Sequence, residues 1–206
     1  MQNGKAVLYV HGKGGNAAEA KCYEGIFPAY DVIGFDYKAE TPWESIEEFR
    51  AEAKRLLNGY DGIILVANSI GAYFSMLSLA GMPIERAYFI SPIANMEKLI
   101  CDMMHWAGVT EDELKEKGTI ATEFGEELSW EYLAWVRSHP ISWHVATEIL
   151  YGSEDNLQSL DTIKAFAAGC SAGLTVMEHG EHWFHTEEQM RFLTEWLAGC
   201  EGKNNS

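Results

Sequence analysis

No two of the four cysteines, Cys22, Cys101, Cys170 and Cys200, stand close enough to make a C-x-x-C pair, which excludes a zinc knuckle and a thioredoxin-type motif. No stretch approaches the roughly 18 uninterrupted apolar residues of a transmembrane helix, so no membrane span is expected. The opening Met1-Gln2-Asn3-Gly4-Lys5 runs straight into a strand-like segment without the basic and apolar regions of a secretory signal, and a cytoplasmic location is the matching expectation. Basic residues are scarce: 15 against 31 acidic ones, a formal charge of −16 that opposes nucleic acid or an anionic membrane as partner. Internal repeats and low-complexity blocks are absent as well.

The 206 residues, 47% of them hydrophobic, suit one domain, and a chain of this size buries roughly 70% of its unfolded surface. Strand-like runs recur at 6–10, 32–35, 63–67, 87–90, 148–151 and 174–177, with helical patterns between them. That alternation predicts an α/β fold with about six mainly parallel strands and helices on both faces. Ile46, Phe49, Ala53 and Leu56 mark a helix from Pro42 to Leu57, and another is expected near Glu187 to Leu197, followed by a frayed polar tail over 201–206. The 56 residues from Ser91 to Ala146 exceed the dozen or so that a crossover needs and predict a helical insertion. Four of the seven tryptophans fall in it, Trp106, Trp130, Trp135 and Trp143. Leu128, Tyr132, Trp135 and Val136 share one helical face there. These side chains are expected either to add core packing or to line a substrate pocket under a lid.

A lone serine marks the place where one element changes into another. Ile63 to Val66 reads as a strand buried on both faces, and Tyr73, Phe74, Met76 and Leu77 follow at helical spacing. Between them stands Ala67-Asn68-Ser69-Ile70-Gly71. A hydroxyl of ordinary pKa needs a base within hydrogen-bond reach and must project clear of the sheet to act as a nucleophile. A sharp strand-to-helix turn with small residues two before and two after supplies the projection. Helix N-cap or turn former is the alternative role for such a serine.

With Ala in place of the first glycine, this is the G-x-S-x-G nucleophile elbow, and the sequence resembles the α/β-hydrolase family from residue 6 to about 197. The resemblance implies a three-layer fold, a single domain over 1–206, a Ser-Asp-His order of catalytic residues and no cofactor. Asp155 stands where the family's acid follows the next-to-last strand, with Glu154 beside it as the rival. His182, two after Gly180, stands where the family's base follows the last strand, with His179 and His185 as neighbours. His11-Gly12-Lys13-Gly14-Gly15 resembles the family's oxyanion loop, so the implied donors are the backbone amides of Lys13 and Ile70. The implied substrates are small molecules: short-chain carboxylic esters first, with thioesters and amides open to the same chemistry.

Three other readings use the same residues. Gly12, Gly14 and Ala17 satisfy G-x-G-x-x-G/A after a strand, and Asp36 stands about 20 residues on, as a nucleotide-binding Rossmann unit requires. His179, His182 and His185, three apart, invite a metal-site reading, but Gly180 places them in a loop, and no metal is expected. A non-catalytic binding protein on the hydrolase fold is the third.

Overall fold

The computed structural model describes residues 4–204; Met1 to Asn3 and Asn205 to Ser206, on which the signal and tail expectations partly rest, lie outside the described residues. From the N-terminus come β1 (Lys5–Val10), a 3-10 helix (Ala17–Tyr23), β2 (Asp31–Phe35), α1 (Pro42–Leu57), β3 (Gly62–Asn68), α2 (Ser69–Leu79) and β4 (Ile84–Ile90). Next are α3 (Met96–Ala107), α4 (Glu111–Lys117), β5 (Thr119–Ala121), β6 (Glu127–Ser129) and α5 (Trp130–Ser138). The chain ends with β7 (Thr147–Gly152), α6 (Leu160–Cys170), β8 (Gly173–Met177) and α7 (Glu187–Asn204). Two compact units result, one of Met1–Ala94 with Ser142–Ser206 and one of Asn95–Ile141. Among the described residues no helix is long and apolar enough to cross a membrane.

The first unit is built on a six-stranded sheet in the order β2-β1-β3-β4-β7-β8. Every neighbouring pair is parallel. The six strand-like runs of the sequence are these strands. Central β3 is buried from Gly62 to Ala67, which its unbroken aliphatic run requires, because helices cover both faces of a parallel sheet. Thr41 and Glu44 form a capping box that starts α1, and Phe49, Ala53 and Leu56 point from it into the core. A Cβ at Gly34 on β2 would lie 1.9 Å from the carbonyl oxygen of Ala17, so glycine there lets the 3-10 helix settle onto the sheet. This seats the preceding glycine loop above the ends of β1 and β3.

The polar tail differs from expectation, since α7 runs on to Asn204. Leu193, Trp196, Leu197 and Cys200 continue its buried stripe, and Glu201 ends it at 4% exposure. Burial of that carboxylate is compensated by Arg86, whose Nε and Nη2 donate to it at 3.2 and 2.7 Å, and by the Tyr88 hydroxyl at 2.8 Å.

In the second unit the expected helix over Leu128 to Val136 begins later. Leu128 is buried on β6, which pairs antiparallel with β5, and only Trp130 onward is helical in α5. Arg137 joins the three helices of this unit: its Nε donates to Glu97 at 2.7 Å, and Nη1 and Nη2 donate to Glu111 at 2.7 and 2.8 Å.

Removing one partner of a buried ion pair strands the other, at a cost of about 3–5 kcal/mol. Glu201→Ala is therefore expected to lower the melting temperature by roughly 2–4 °C per kcal/mol lost, whereas Arg55→Ala, on an exposed pair with Glu52, should change it by little. Calorimetry of the two variants checks the contrast.

Candidate active site

Because the sheet is parallel, the C-terminal ends of its strands share one edge, and the segments carrying Gly12, Ser69, Asp155 and His182 leave that edge after β1, β3, β7 and β8. The chain leaves β1 toward β2 on one side and returns to β3 on the other. Strand order therefore reverses between β1 and β3, the place where open α/β sheets hold ligands.

At that reversal Ser69 has φ of 50°, a left-handed conformation that a non-glycine residue rarely takes. The turn throws Oγ off the end of β3 and starts α2. Close approach on both sides explains the small residues. A Cβ at Gly71 would meet the His11 carbonyl oxygen at 2.3 Å, and one at Gly12 would come 3.2 Å from the Ser69 Cβ. Ala67 is tolerated where the family pattern has glycine because its methyl is taken up in the core of β3. The Ile93 N–H donates to the Ser69 carbonyl at 3.2 Å and holds the corner from the β4 side.

The imidazole of His182 stands between the hydroxyl and a carboxylate. Its Nε2 lies 2.8 Å from Ser69 Oγ, and its Nδ1 lies 2.7 Å from Asp155 Oδ2. A carboxylate only accepts, so the proton sits on Nδ1 and Nε2 is left to accept from the serine hydroxyl. Asp155 is fully buried as a side chain, and its other oxygen accepts from the Leu157 and Gln158 N–H groups at 2.8 and 3.1 Å. An aspartate heading a loop, Asp155-Asn156-Leu157-Gln158, is the sequence pattern of such an Asx turn. The loops after β7 and β8 are knitted together by Ser153 N–H to Met177 O at 2.9 Å and Glu154 N–H to Gly180 O at 2.8 Å. A Cβ at Gly152 would fall 2.3 Å from the Gly180 carbonyl oxygen, so the two loops cross only because that position is glycine.

The neighbours of these residues are engaged elsewhere. Glu154 pairs with His179 at 2.9 Å in an exposed contact, and that carboxylate, then the other nearby glutamates, raise the His179 pKa. His185 Nδ1 contacts the Trp183 carbonyl oxygen at 2.7 Å, and its ring stacks on Trp183. Among the described residues no group of three or more His, Cys, Asp or Glu side chains is placed to hold a metal. Glu154, Asn156, Glu181, His182, Trp183 and His185 line an open cleft of about 400 Å³.

Lys13 lies on the turn that the Gly15 N–H closes onto the Gly12 carbonyl at 3.1 Å. Ile70 lies in the first turn of α2, where N–H groups have no intrahelical acceptor. The four tryptophans divide between the units, Trp143 in the first and Trp106, Trp130 and Trp135 in the second. Trp143 is buried against Phe89 and donates its Nε1 to Thr147 Oγ1 at 2.8 Å, which is the core-packing role of the two expected for it. In the second unit Trp106 is half exposed and meets Phe124 edge-on, Trp130 lies under the Lys115 ammonium, and Trp135 stacks on His139. The residues of the Rossmann reading also diverge: Ala17 opens a 3-10 helix and not a crossover α-helix, and the exposed Asp36 pairs with Lys38 at 2.9 Å.

No family model matches the sequence, and no curated protein matches it. Solved structures do. Est1E from Butyrivibrio proteoclasticus is 15% identical with a TM-score of 0.73, over 98% of this chain and 89% of that one. Alpha/beta hydrolase domain-containing protein 10 from mouse is 15% identical with a TM-score of 0.71, over 96% and 90%. An alpha-beta serine hydrolase homologue from Coxiella burnetii is 14% identical with a TM-score of 0.61, over 95% and 83%. This chain has the α/β-hydrolase fold.

The α/β-hydrolase corner at Ser69 leaves no volume for a side chain at Gly71, because the obstructing atom is backbone. Gly71→Ala is expected to cost about 1–3 kcal/mol as overpacking, while Gly169→Ala, in a helix with open space around it, should not destabilise. Chemical denaturation of the two variants measures the difference.

Proposed function

We propose that this chain is a serine hydrolase that cleaves short-chain carboxylic esters through an acyl-enzyme. What supports this most is the unbroken sequence of contacts from Ser69 Oγ to His182 Nε2 and from His182 Nδ1 to Asp155, at an edge where a strained turn presents the hydroxyl. Ser69 attacks the ester carbonyl as His182 takes its proton. The tetrahedral oxyanion is held by the Lys13 and Ile70 amides, and the helix dipole of α2 adds positive potential there. His182 then returns the proton to the leaving alcohol. Water deacylates the enzyme by the same route in reverse order, and Asp155 keeps the ring in the tautomer both steps need and stabilises its charged form. Thioesters and amides present the same electrophile and are the wider class.

In a triad that acts as a unit, removing the nucleophile costs on the order of 10⁶ in kcat. Ser69→Ala is expected to abolish turnover of an activated ester and labelling by a fluorophosphonate while keeping the melting temperature. A wrongly held tautomer costs about 10⁴, so Asp155→Asn should leave a weak enzyme and Glu154→Gln a nearly intact one. Steady-state kinetics on the three proteins decides the assignment, and full activity in folded Ser69→Ala sinks it.

Charge gives a second expectation. Glu154 and Glu181 border the cleft beside His182 on a chain of net charge −16. A dicarboxylic monoester should be hydrolysed more slowly than its neutral isostere, and the ratio should shrink toward one between low salt and about 1 M, where the Debye length falls to roughly 3 Å. A preference for the anionic ester would point instead to a basic pocket.

A further inference from the structure

We propose, resting on the serine-hydrolase reading above, that Glu19, Tyr9 and Asn68 form a positioning bridge. It fixes the glycine loop after β1 against the Ser69 corner, and with it the separation of the two oxyanion donors.

The bridge begins in strand periodicity. Side chains two apart on a strand share a face, so Asn68 ends the column Ile64, Val66, Asn68 on β3, and Tyr9 ends the column Val7, Tyr9 on β1. Tyr9 and Val66 are register partners. Both columns thus finish in a polar group at the edge that carries the site. A buried phenol needs hydrogen-bond partners, and Tyr9 is 1% exposed. Its hydroxyl accepts from Asn68 Nδ2 at 3.0 Å and donates to Glu19 Oε2 at 2.5 Å. The other oxygen of Glu19 accepts from the Asn16 N–H at 3.0 Å, at the end of the glycine loop. Three side chains therefore connect the residue before the nucleophile to the residue that closes the loop. Burial, then Tyr23 and the bond to Glu19, push the Tyr9 hydroxyl far above its ordinary pKa, which keeps it a donor.

Two details separate this arrangement from ordinary helix capping. Asn16 and Glu19 form a capping box that needs only one carboxylate oxygen, yet the second is directed inward to Tyr9. Asn68 occupies the N-cap of α2, where asparagine usually accepts from its own helix, but it makes no such bond and donates to Tyr9. The loop needs an external hold, because Gly12, Gly14 and Gly15 have no side chains to anchor it. Tyr37 holds its start, donating to the His11 carbonyl at 3.0 Å. Glu19 holds its end from directly beneath, since a Cβ at Gly15 would come 2.9 Å from Oε1.

The test compares the parent chain with Tyr9→Phe, Asn68→Ala, their double variant and Glu19→Gln. The readouts are kcat and KM for an activated ester and the affinity of a trifluoromethyl ketone, whose adduct on Ser69 carries the oxyanion. A displacement near 1 Å can cost on the order of 10² in rate, so each single variant is expected to lose about 10- to 100-fold in kcat with KM nearly unchanged. Ketone affinity should fall in step, and the double variant should be no worse than the poorer single. Variants that melt earlier but keep kcat within twofold overturn the bridge, as do losses that multiply in the double variant. If Tyr9→Phe does not fold, Glu19→Gln, on a half-buried side chain, decides by the same criteria. A parent chain that neither hydrolyses the ester nor takes up a fluorophosphonate overturns both readings; an active, labelled parent with unaffected variants overturns the bridge alone.

Discussion

A serine held at φ of 50° stands against its own steric preference, and much of the structure at the C-terminal edge of the sheet serves to keep it there. Such a conformation costs on the order of 1–3 kcal/mol and persists only where its surroundings over-determine it. The surroundings here are β3 buried along six residues, the start of α2, the Ile93 N–H on the Ser69 carbonyl, and the backbone of His11 pressed against Gly71. Each restrains the corner from a different side. Relaxing Ser69 toward the helical region would turn Oγ away from His182, so local strain and the 2.8 Å contact are two aspects of one geometry.

The same edge handles charge by a division of labour. Asp155 is buried and saturated with two backbone N–H donors and one imidazole, which is how a carboxylate is kept inside without an unpaired lone pair facing apolar atoms. Glu154, next to it in sequence, points out to His179 and solvent. Adjacent acids thus have opposite environments because the loop after β7 turns between them. At the far end of the sheet, Glu201 shows the same rule in a structural role, its burial compensated by Arg86 and Tyr88 from β4.

How much of this was legible in the sequence follows from the range over which each feature is decided. The six strands were legible because burial on both faces writes itself as short unbroken apolar runs. Ser69, Asp155 and His182 stood out because each lies a few residues past such a run, in a string whose glycines have a steric reason. Leu128 reads as helical in the sequence because β5 and β6 are three residues each, too short for a period of two to be told from one of 3.6. Glu201 reads as tail in the sequence because a charged residue looks solvated until its partner, 115 positions away, is known. For Trp143 the sequence leaves core packing and pocket lining open, because side-chain type alone does not reveal that Thr147 and Phe89 engage it.

Backbone groups and missing side chains do most of the positioning at this edge. The loops bearing Asp155 and His182 are joined by two backbone hydrogen bonds and a crossing that only Gly152 permits; the glycine loop reaches Ser69 because Gly12 and Gly71 leave room. A frame specified this way constrains few residue identities, since a peptide N–H is supplied by any residue but proline. Most side chains on such a chain are free to change while strand order, crossing loops and corner remain. Side-chain identity is needed where a proton must move and where a buried polar atom must find its partner. On this chain the Glu19, Tyr9 and Asn68 contacts are of the second kind: the buried Tyr9 hydroxyl is paired on both sides, beside the corner at Ser69.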